Sequence, residues 1–395
     1  MRLLINIPLA AAIIGACSSI PCHALTQAAQ PGLVVPVPAA QAVRVTSDSF
    51  TNPSGVRRAM DVYRTATASG RTPVVVFANG NGPELRLARS YVEWARLTTT
   101  RGLSAVLYEG PSYDMSLSFA ANITASMGHL DSVLALLQRR GASLDIDPMN
   151  VVIWAGSSQT ATGTPFALSG TRPVKGYVLY YGTGAVTSPR TDVPVFIARA
   201  GLDAPALNAT LDSLARQLID AGSPVTVVNY PSGSHAFDIV DSTAMSARVI
   251  NQTLDFMAAV TDPALQAAIV EGVSESQASA AMAQQRWADG VRLYTEVARR
   301  KPTSRQVAWR LGLAQLGNGE NGAALNSFDR AKALGQGGAR DIGLPATRAA
   351  IRAGNTAKAV EWVKWALQSF PRIRAEIAAD RELAPLLEHP LVKGG

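Results

Sequence analysis

The chain has 395 residues, of which 47% are hydrophobic and 16% charged, so it is long enough for two or three domains and too apolar to be disordered over most of its length. The net charge of +7 comes from residues 275–395, because residues 1–274 are neutral overall. The longest basic run is only Arg299–Lys301. We therefore expect a solvated helical face here and no binding of nucleic acid.

The N-terminus has the features of an export signal. Residues 3–16 read "LLINIPLAAAIIGA", an apolar stretch too short to span a membrane comfortably, and "CHA" ends at the small residue Ala24. We predict a signal peptide over residues 1–24 and an exported protein, either periplasmic or secreted. The alternative is a lipoprotein, because "IGAC" resembles a lipobox and would place a lipid anchor on Cys17.

The cysteine content limits the chemistry of the mature protein. Cys17 and Cys22 are the only cysteines, and both lie in the predicted signal. A soluble mature form would therefore have no disulfide, no thiolate nucleophile and no thiolate metal ligand, and we expect neither a metal nor a cofactor. No later apolar segment approaches 18 residues, so we predict no transmembrane span.

The segment after the signal contains prolines and no charge. Residues 25–42 have Pro at 31, 36 and 38, which predicts an extended leader or linker. From Val43 the pattern changes to two short alternating runs, "VRVTSDSF" and "MDVYRTAT". These runs predict a hairpin at the edge of a sheet.

Strand and helix patterns then alternate as far as residue 262. The predicted strands are "PVVVF", "LSAVLYEG", "NVVIWAG", "VKGYVLYYG", "PVFIARAG" and "PVTVVNYP". Helical spacing lies between them, for example over 84–102 and 116–141. Such alternation predicts an α/β domain over 43–262, with a mostly parallel sheet covered by helices on both faces.

Residues 275–371 have no strand signal but contain a repeat. Three aromatic residues are spaced by 34 positions, namely Tyr294, Phe328 and Trp362. This period, with Leu311–Gly312 between the first two copies, resembles the tetratricopeptide repeat family. The resemblance implies an all-α helical array that docks a protein partner or self-associates; an unrelated helical region is the alternative. We expect residues 372–395 to form a C-terminal tail.

The stretch "VVIWAGSSQT" at 151–160 places two serines directly after a predicted strand. A nucleophile in a tight strand-to-helix turn needs small neighbours two positions before and after it. These neighbours are Ala155 and Gln159 for Ser157, and Gly156 and Thr160 for Ser158. Gln is too large by this criterion, so we predict Ser158 as the nucleophile, although Thr160 is larger than usual. A serine that only caps the following helix is the alternative.

Two further residues complete a possible catalytic triad. His235 is the one histidine of the chain that follows a predicted strand end, and Asp203 lies three residues beyond the end of the preceding strand. The order Ser158, Asp203, His235 is the Ser, Asp, His order of α/β-hydrolase sheets. Asp192 and Asp238 are poorer candidates for the acid, because the first precedes its strand and the second lies too near the histidine in sequence.

An oxyanion hole needs two backbone N–H donors. We predict one from Gln159, which follows Ser158, and one from Asn81 in the loop "ANGNG", with Asn79 as an orienting residue. Three tyrosines at strand ends could line an acyl or aryl pocket or could cap the core: Tyr108, Tyr180 and Tyr181. Only about ten residues separate Gly182 from Val193, too few for a lid domain, so we expect an open site.

Residues 43–260 resemble the α/β-hydrolase superfamily, nearest to its dienelactone-hydrolase-like branch. The stretches that support this are "PVVVFANGNG", "LDIDPMNVVIWAGSSQTATG", "IARAGLDAPA" and "YPSGSHAFD". The resemblance implies a serine esterase in which Ser158 attacks a carbonyl, His235 transfers the proton and Asp203 orients His235. Dienelactone hydrolases use cysteine, so serine favours ordinary carboxylic esters, small or polymeric. The alternatives are a scaffold protein with a degenerate hydrolase domain, and a serine peptidase or thioesterase.

Overall fold

The computed structural model describes residues 31–39, 41–79, 83–335 and 338–393. The predicted signal peptide with Cys17 and the predicted oxyanion donor Asn81 lie outside the described residues.

A single sheet of eight strands forms the centre of the first part of the chain. Its strands are β1 (Val43–Thr51), β2 (Arg57–Thr65), β3 (Thr72–Phe77), β4 (Ser104–Tyr108), β5 (Ile146–Gly156), β6 (Val174–Tyr180), β7 (Val195–Ala200) and β8 (Val225–Tyr230). They lie in the order β1-β2-β4-β3-β5-β6-β7-β8. β1 and β2 form the predicted edge hairpin, β2 is also antiparallel to β4, and all other pairs are parallel.

Helices cover both faces of this sheet. They are α1 (Arg89–Thr99), α2 (Phe119–Arg140), α3 (Thr160–Ser169), α4 (Pro205–Asp220), α5 (Phe237–Val240) and α6 (Ala244–Ala259). Successive side chains of a strand point to opposite faces, so Ile153 packs with α2, α3 and α4, whereas Trp154 packs with α1 and α6. The predicted α/β domain, a mostly parallel sheet covered by helices on both faces, is confirmed.

Residues 31–39, the N-terminal strap, pack against the sheet domain. Leu33, Val34, Val35 and Val37 contact the core on the α1 side. The Val34 N–H donates to the carbonyl of Asp238 at 2.9 Å. The segment has neither helix nor strand, as the proline pattern predicts, but its apolar side chains dock it instead of leaving it a free linker.

The described residues after 262 form only helices and turns. The longer helices are α7 (Pro263–Ala283), α8 (Trp287–Arg300), α9 (Arg305–Gly317), α10 (Asn321–Ala333), α11 (Ala339–Arg352) and α12 (Thr356–Ser369). Each packs on the next along the chain. Tyr294, Phe328 and Trp362 lie in α8, α10 and α12, and each is at most 1% exposed. The 34-residue aromatic period is thus a series of core positions; its identity as a tetratricopeptide array stays a prediction.

Two details differ from the predicted boundaries. α7 runs through residue 275, and the side chain of Gln284 at its end donates to the carbonyl of Asp220 on α4 at 3.0 Å. In the predicted C-terminal tail, Ile373, Ile377 and Val392 are buried in the core cluster that also contains α12. Residues 372–393 contribute two short helices, α13 (Arg374–Ala379) and α14 (Pro390–Lys393). None of the helices in the described part of the chain is long and apolar enough to cross a bilayer.

Candidate active site

Ser157 is the first residue after β5, and it begins a short 3₁₀ turn that leads into α3. Its φ of +53° lies in the left-handed region, which L-residues other than Asn and Asp rarely adopt. Such strain persists only where the surrounding structure holds it, and it clusters at functional sites. The Ser157 Oγ lies 2.8 Å from the Nε2 of His235.

Ser158 does not occupy this position. Its side chain is exposed, and its Oγ lies 3.4 Å from the Oε1 of the adjacent Gln159. The prediction of Ser158 as the residue facing His235 is therefore wrong, and Ser157 takes its place.

The reason lies in where α3 approaches β5. A Cβ added to Gly163 would lie 2.7 Å from the Cβ of Ala155 and 3.1 Å from the ring of Tyr177. The close approach is thus accommodated by Gly163 and Ala155, while the side chain of Gln159 is buried without obstructing the turn. The size criterion required a small residue at position 159. In the structure, the small residue that lets α3 pack against β5 is Gly163, one helical turn later.

Thr160 links the strained turn to the loop after β6. Its Oγ1 lies 2.6 Å from the carbonyl oxygen of Ser157 and 2.7 Å from that of Thr183, so its proton is shared between two acceptors. The same Oγ1 accepts the N–H of Thr183 at 2.8 Å. A Cβ at Gly182 would lie 2.6 Å from the Ser157 carbonyl oxygen, so the loop comes this close only with glycine there. The residue predicted to fit poorly therefore anchors the turn.

His235 and Asp203 stand where the sequence predicted them, on the loops after β8 and β7. The His235 Nδ1 lies 2.7 Å from the Oδ2 of Asp203, and the other Asp203 oxygen accepts the N–H of Ala204 at 2.8 Å. The carboxylate can only accept, so the proton of the neutral ring is on Nδ1 and Nε2 accepts from Ser157. The side chain of Asp203 is 8% exposed and that of His235 is 42% exposed, so solvent reaches the histidine.

Of the three predicted pocket tyrosines, only Tyr181 lies beside the triad. Its ring centroid is 4.8 Å from that of His235. Tyr108 and Tyr180 are at most 1% exposed and belong to the core, so they cap it and do not line a pocket. Their hydroxyls are satisfied internally, that of Tyr180 by Thr253 at 2.5 Å. Burial raises the pKa of both hydroxyls.

The loop that follows β3 begins with a fixed residue. Asn79 is buried, its N–H donates to the hydroxyl of Tyr108 at 2.9 Å and its Nδ2 donates to the Tyr108 carbonyl at 3.1 Å. Asn79 is thus held in place at the start of the loop, and its orienting role stays a prediction. With Ser157 facing His235, the residue that follows the serine is Ser158, so Gln159 loses the position for which it was predicted as a donor.

Sequence reasoning also missed Asp238, which accepts the Tyr181 hydroxyl, and Trp94, whose indole N–H donates to the same carboxylate. No local pattern distinguishes either residue, because Trp94 reads as an apolar helix position and Asp238 as an ordinary acid after a histidine. Within the described ranges, no group of three or more His, Cys, Asp or Glu is placed to hold a metal ion.

Of three comparisons with known proteins, only the comparison with solved structures finds similar chains. No protein-family model and no curated protein matches the chain. A bacterial heroin esterase is 14% identical over 58% of this chain and 87% of its own, with a TM-score of 0.47. Brefeldin A esterase, described as a bacterial homologue of human hormone-sensitive lipase, is 15% identical over 60% and 82%, with a TM-score of 0.48. Esterase LipW from Mycobacterium marinum is 16% identical over 57% and 84%, with a TM-score of 0.47. Each of these three likenesses has a TM-score below 0.5.

Proposed function

We propose that this protein is a serine hydrolase that cleaves carboxylic esters through an acyl-enzyme, with Ser157 as nucleophile. The observation that carries the proposal is the continuous chain of Ser157, His235 and Asp203, with contacts of 2.8 and 2.7 Å. A nucleophile hydrogen-bonded to a base that is oriented by a third group is the general signature of covalent catalysis. The positive φ at Ser157, in a turn between β5 and α3, supports the same assignment.

In the proposed reaction, the Ser157 Oγ attacks the ester carbonyl carbon while the His235 Nε2 takes the hydroxyl proton. Asp203 holds the ring and stabilises the imidazolium that forms. His235 then gives the proton to the departing alcohol, and an acyl group stays on Ser157. Water, deprotonated by the same Nε2, attacks the acyl carbonyl and releases the acid and the free serine.

The developing oxyanion needs backbone donors. We propose the N–H of Ser158 as one of them, in place of Gln159, because it follows the nucleophile directly. Asn81 stays the predicted second donor. Tyr108 holds Asn79, which precedes Asn81 by two residues in the sequence.

The substrate class and the setting rest on the sequence. An open site with an exposed His235 suits small or polymeric esters, whereas a peptidase or thioesterase would use the same three residues. The dienelactone-hydrolase-like branch, export, and docking or self-association through residues 275–371 belong to this proposal as well. A scaffold protein with an inactive hydrolase domain is the contrary hypothesis.

Covalent labelling decides between the enzyme and the scaffold without knowledge of the substrate. The wild-type protein should react with a fluorophosphonate probe and hydrolyse short-chain p-nitrophenyl esters. Ser157→Ala should lose the label and at least about 10⁴-fold of kcat, as expected when a triad nucleophile is removed. The matched control is Ser158→Ala, which keeps its backbone N–H and should retain both label and turnover. An unlabelled wild type, or a label that survives in Ser157→Ala, would refute the proposal.

A further inference from the structure

We infer that Tyr181 is a positioning residue for His235, and that the buried side chains of Asp238 and Trp94 hold Tyr181 in place. The inference rests on the proposed function, in which His235 is the general base. It assigns roles to three residues outside the chain of Ser157, His235 and Asp203.

Tyr181 restrains a motion of the imidazole that Asp203 leaves free. The hydrogen bond to Asp203 fixes the position of Nδ1. The rest of the imidazole ring can still tilt about that atom. The phenol ring of Tyr181 lies against the imidazole, with a centroid separation of 4.8 Å and an interplanar angle of 58°. The side chain of His235 is 42% exposed, and solvent does not restrain the exposed part of the ring. The contact with Tyr181 therefore supplies packing on one side of the imidazole. Restricting the tilt keeps Nε2 directed at the Ser157 Oγ.

Tyr181 is itself held by an unusual set of contacts. Its φ of +32° is strained for a residue with a side chain. Its hydroxyl donates to the Oδ1 of Asp238 at 2.7 Å, and the Trp94 indole N–H donates to the Oδ2 at 2.8 Å. Each carboxylate oxygen thus accepts from one aromatic donor, which fixes the plane of the carboxylate and the direction of the phenol.

The position of Asp238 connects this arrangement to the histidine loop. Asp238 is 1% exposed, and burial raises the pKa of its carboxyl, whereas the hydrogen bonds from Trp94 and Tyr181 oppose that rise. Its backbone carbonyl also accepts the N–H of Val34 in the N-terminal strap at 2.9 Å. A buried carboxylate is costly unless its oxygens are satisfied. Here both Asp238 oxygens accept hydrogen bonds, and this arrangement orients the Tyr181 ring that packs against His235.

Tyr181→Phe removes the hydroxyl and keeps the ring. For this variant we expect kcat for p-nitrophenyl ester hydrolysis to fall about tenfold, equivalent to about 1.4 kcal/mol, with KM changed less than about twofold. The matched control is Tyr177→Phe on β6, a fully buried tyrosine on the opposite face of the sheet from Tyr181, whose hydroxyl lies 2.9 Å from the Thr164 Oγ1. A kcat loss of the same size in both variants would overturn the inference.

A second measurement does not depend on turnover. The ¹⁵N signals of the His235 imidazole, assigned by their loss in His235→Asn, should shift or broaden in Tyr181→Phe and stay unchanged in Tyr177→Phe. Identical His235 signals in Tyr181→Phe and wild type would overturn the inference. If Tyr181→Phe fails to fold, Trp94→Phe can replace it, because this variant removes the other donor to Asp238. It should produce the same shift or broadening of the His235 signals. Failure of the proposed function would be detected by a different measurement, namely ester turnover that survives in Ser157→Ala. In that case the imidazole signals would still test whether Tyr181 positions His235.

Discussion

Replacing Thr160 by Val keeps the shape of the side chain but removes the hydroxyl that joins the Ser157 turn to the loop after β6. In the native structure this oxygen accepts from the Thr183 N–H at 2.8 Å and lies 2.6 Å from the Ser157 carbonyl oxygen. Thr160 is 1% exposed, so water does not readily replace these partners. A buried polar group left without its partner costs about 1–3 kcal/mol, so losing two such bonds should lower the free energy of unfolding by about 2–6 kcal/mol.

The same change should reduce catalysis more than binding. Ser157 holds a strained φ of +53°, and the turn should relax once its carbonyl loses the Thr160 hydroxyl. Because a displacement of 1 Å can cost about a hundredfold in rate, we expect kcat to fall about ten- to hundredfold with little change in KM.

Urea unfolding and ester kinetics measure the two effects separately. Thr160→Ser is the control, since it keeps the hydroxyl and loses one buried methyl, worth about 1 kcal/mol. A Thr160→Val protein as stable and as active as Thr160→Ser would refute the idea that this hydroxyl holds the turn.

Three further predictions concern other parts of the molecule. Burial lowers the pKa of His129 below its ordinary 6.5, so stability present above pH 6.5 should be lost as the pH falls toward the folded-state pKa. That loss is at most about 1.4 kcal/mol per pH unit, and urea unfolding between pH 7 and 5 should show a flatter dependence in His129→Gln. Deleting residues 287–395, which leaves α7 whole, should keep kcat within about tenfold of wild type; a folded but inactive truncation would show that the later helices form part of the site. Trp362→Ala should cost the helical region about 3–5 kcal/mol in denaturant unfolding, because the side chain is fully buried; a loss below about 1 kcal/mol would contradict its core role.

Much of the architecture follows from periodicity. The β1–β2 hairpin, the buried strands and the helices between them repeat the apolar patterns of the sequence, because a parallel sheet covered on both faces must be apolar throughout. Asp203 and His235 could be predicted as well, since each is a suitable residue type in the loop that follows a predicted strand. The docking of residues 31–39 could not, because it depends on contacts with α1 and α5, far away in the chain.

The choice between the two serines shows what local sequence rules leave out. The size criterion concerns how closely a helix approaches the strand before it, and the sequence does not show at which residue the approach is tightest. In the structure a close approach lies at Gly163, and the side chain of Gln159 is accommodated in a buried position. A simpler signal was present: the apolar run ends at Gly156, which makes Ser157 the first residue of the turn.

The N-terminal strap has a consequence for the order in which the protein folds. Val34 precedes every strand of the sheet in synthesis, yet its partner Asp238 follows the last one. Contacts between residues so distant in sequence form slowly, because the intervening chain must first be ordered. Until then the apolar side chains of Leu33, Val35 and Val37 are open to water and to proteases. We therefore expect the docking of this segment, and with it the final placement of the loop that carries His235, to come late in folding.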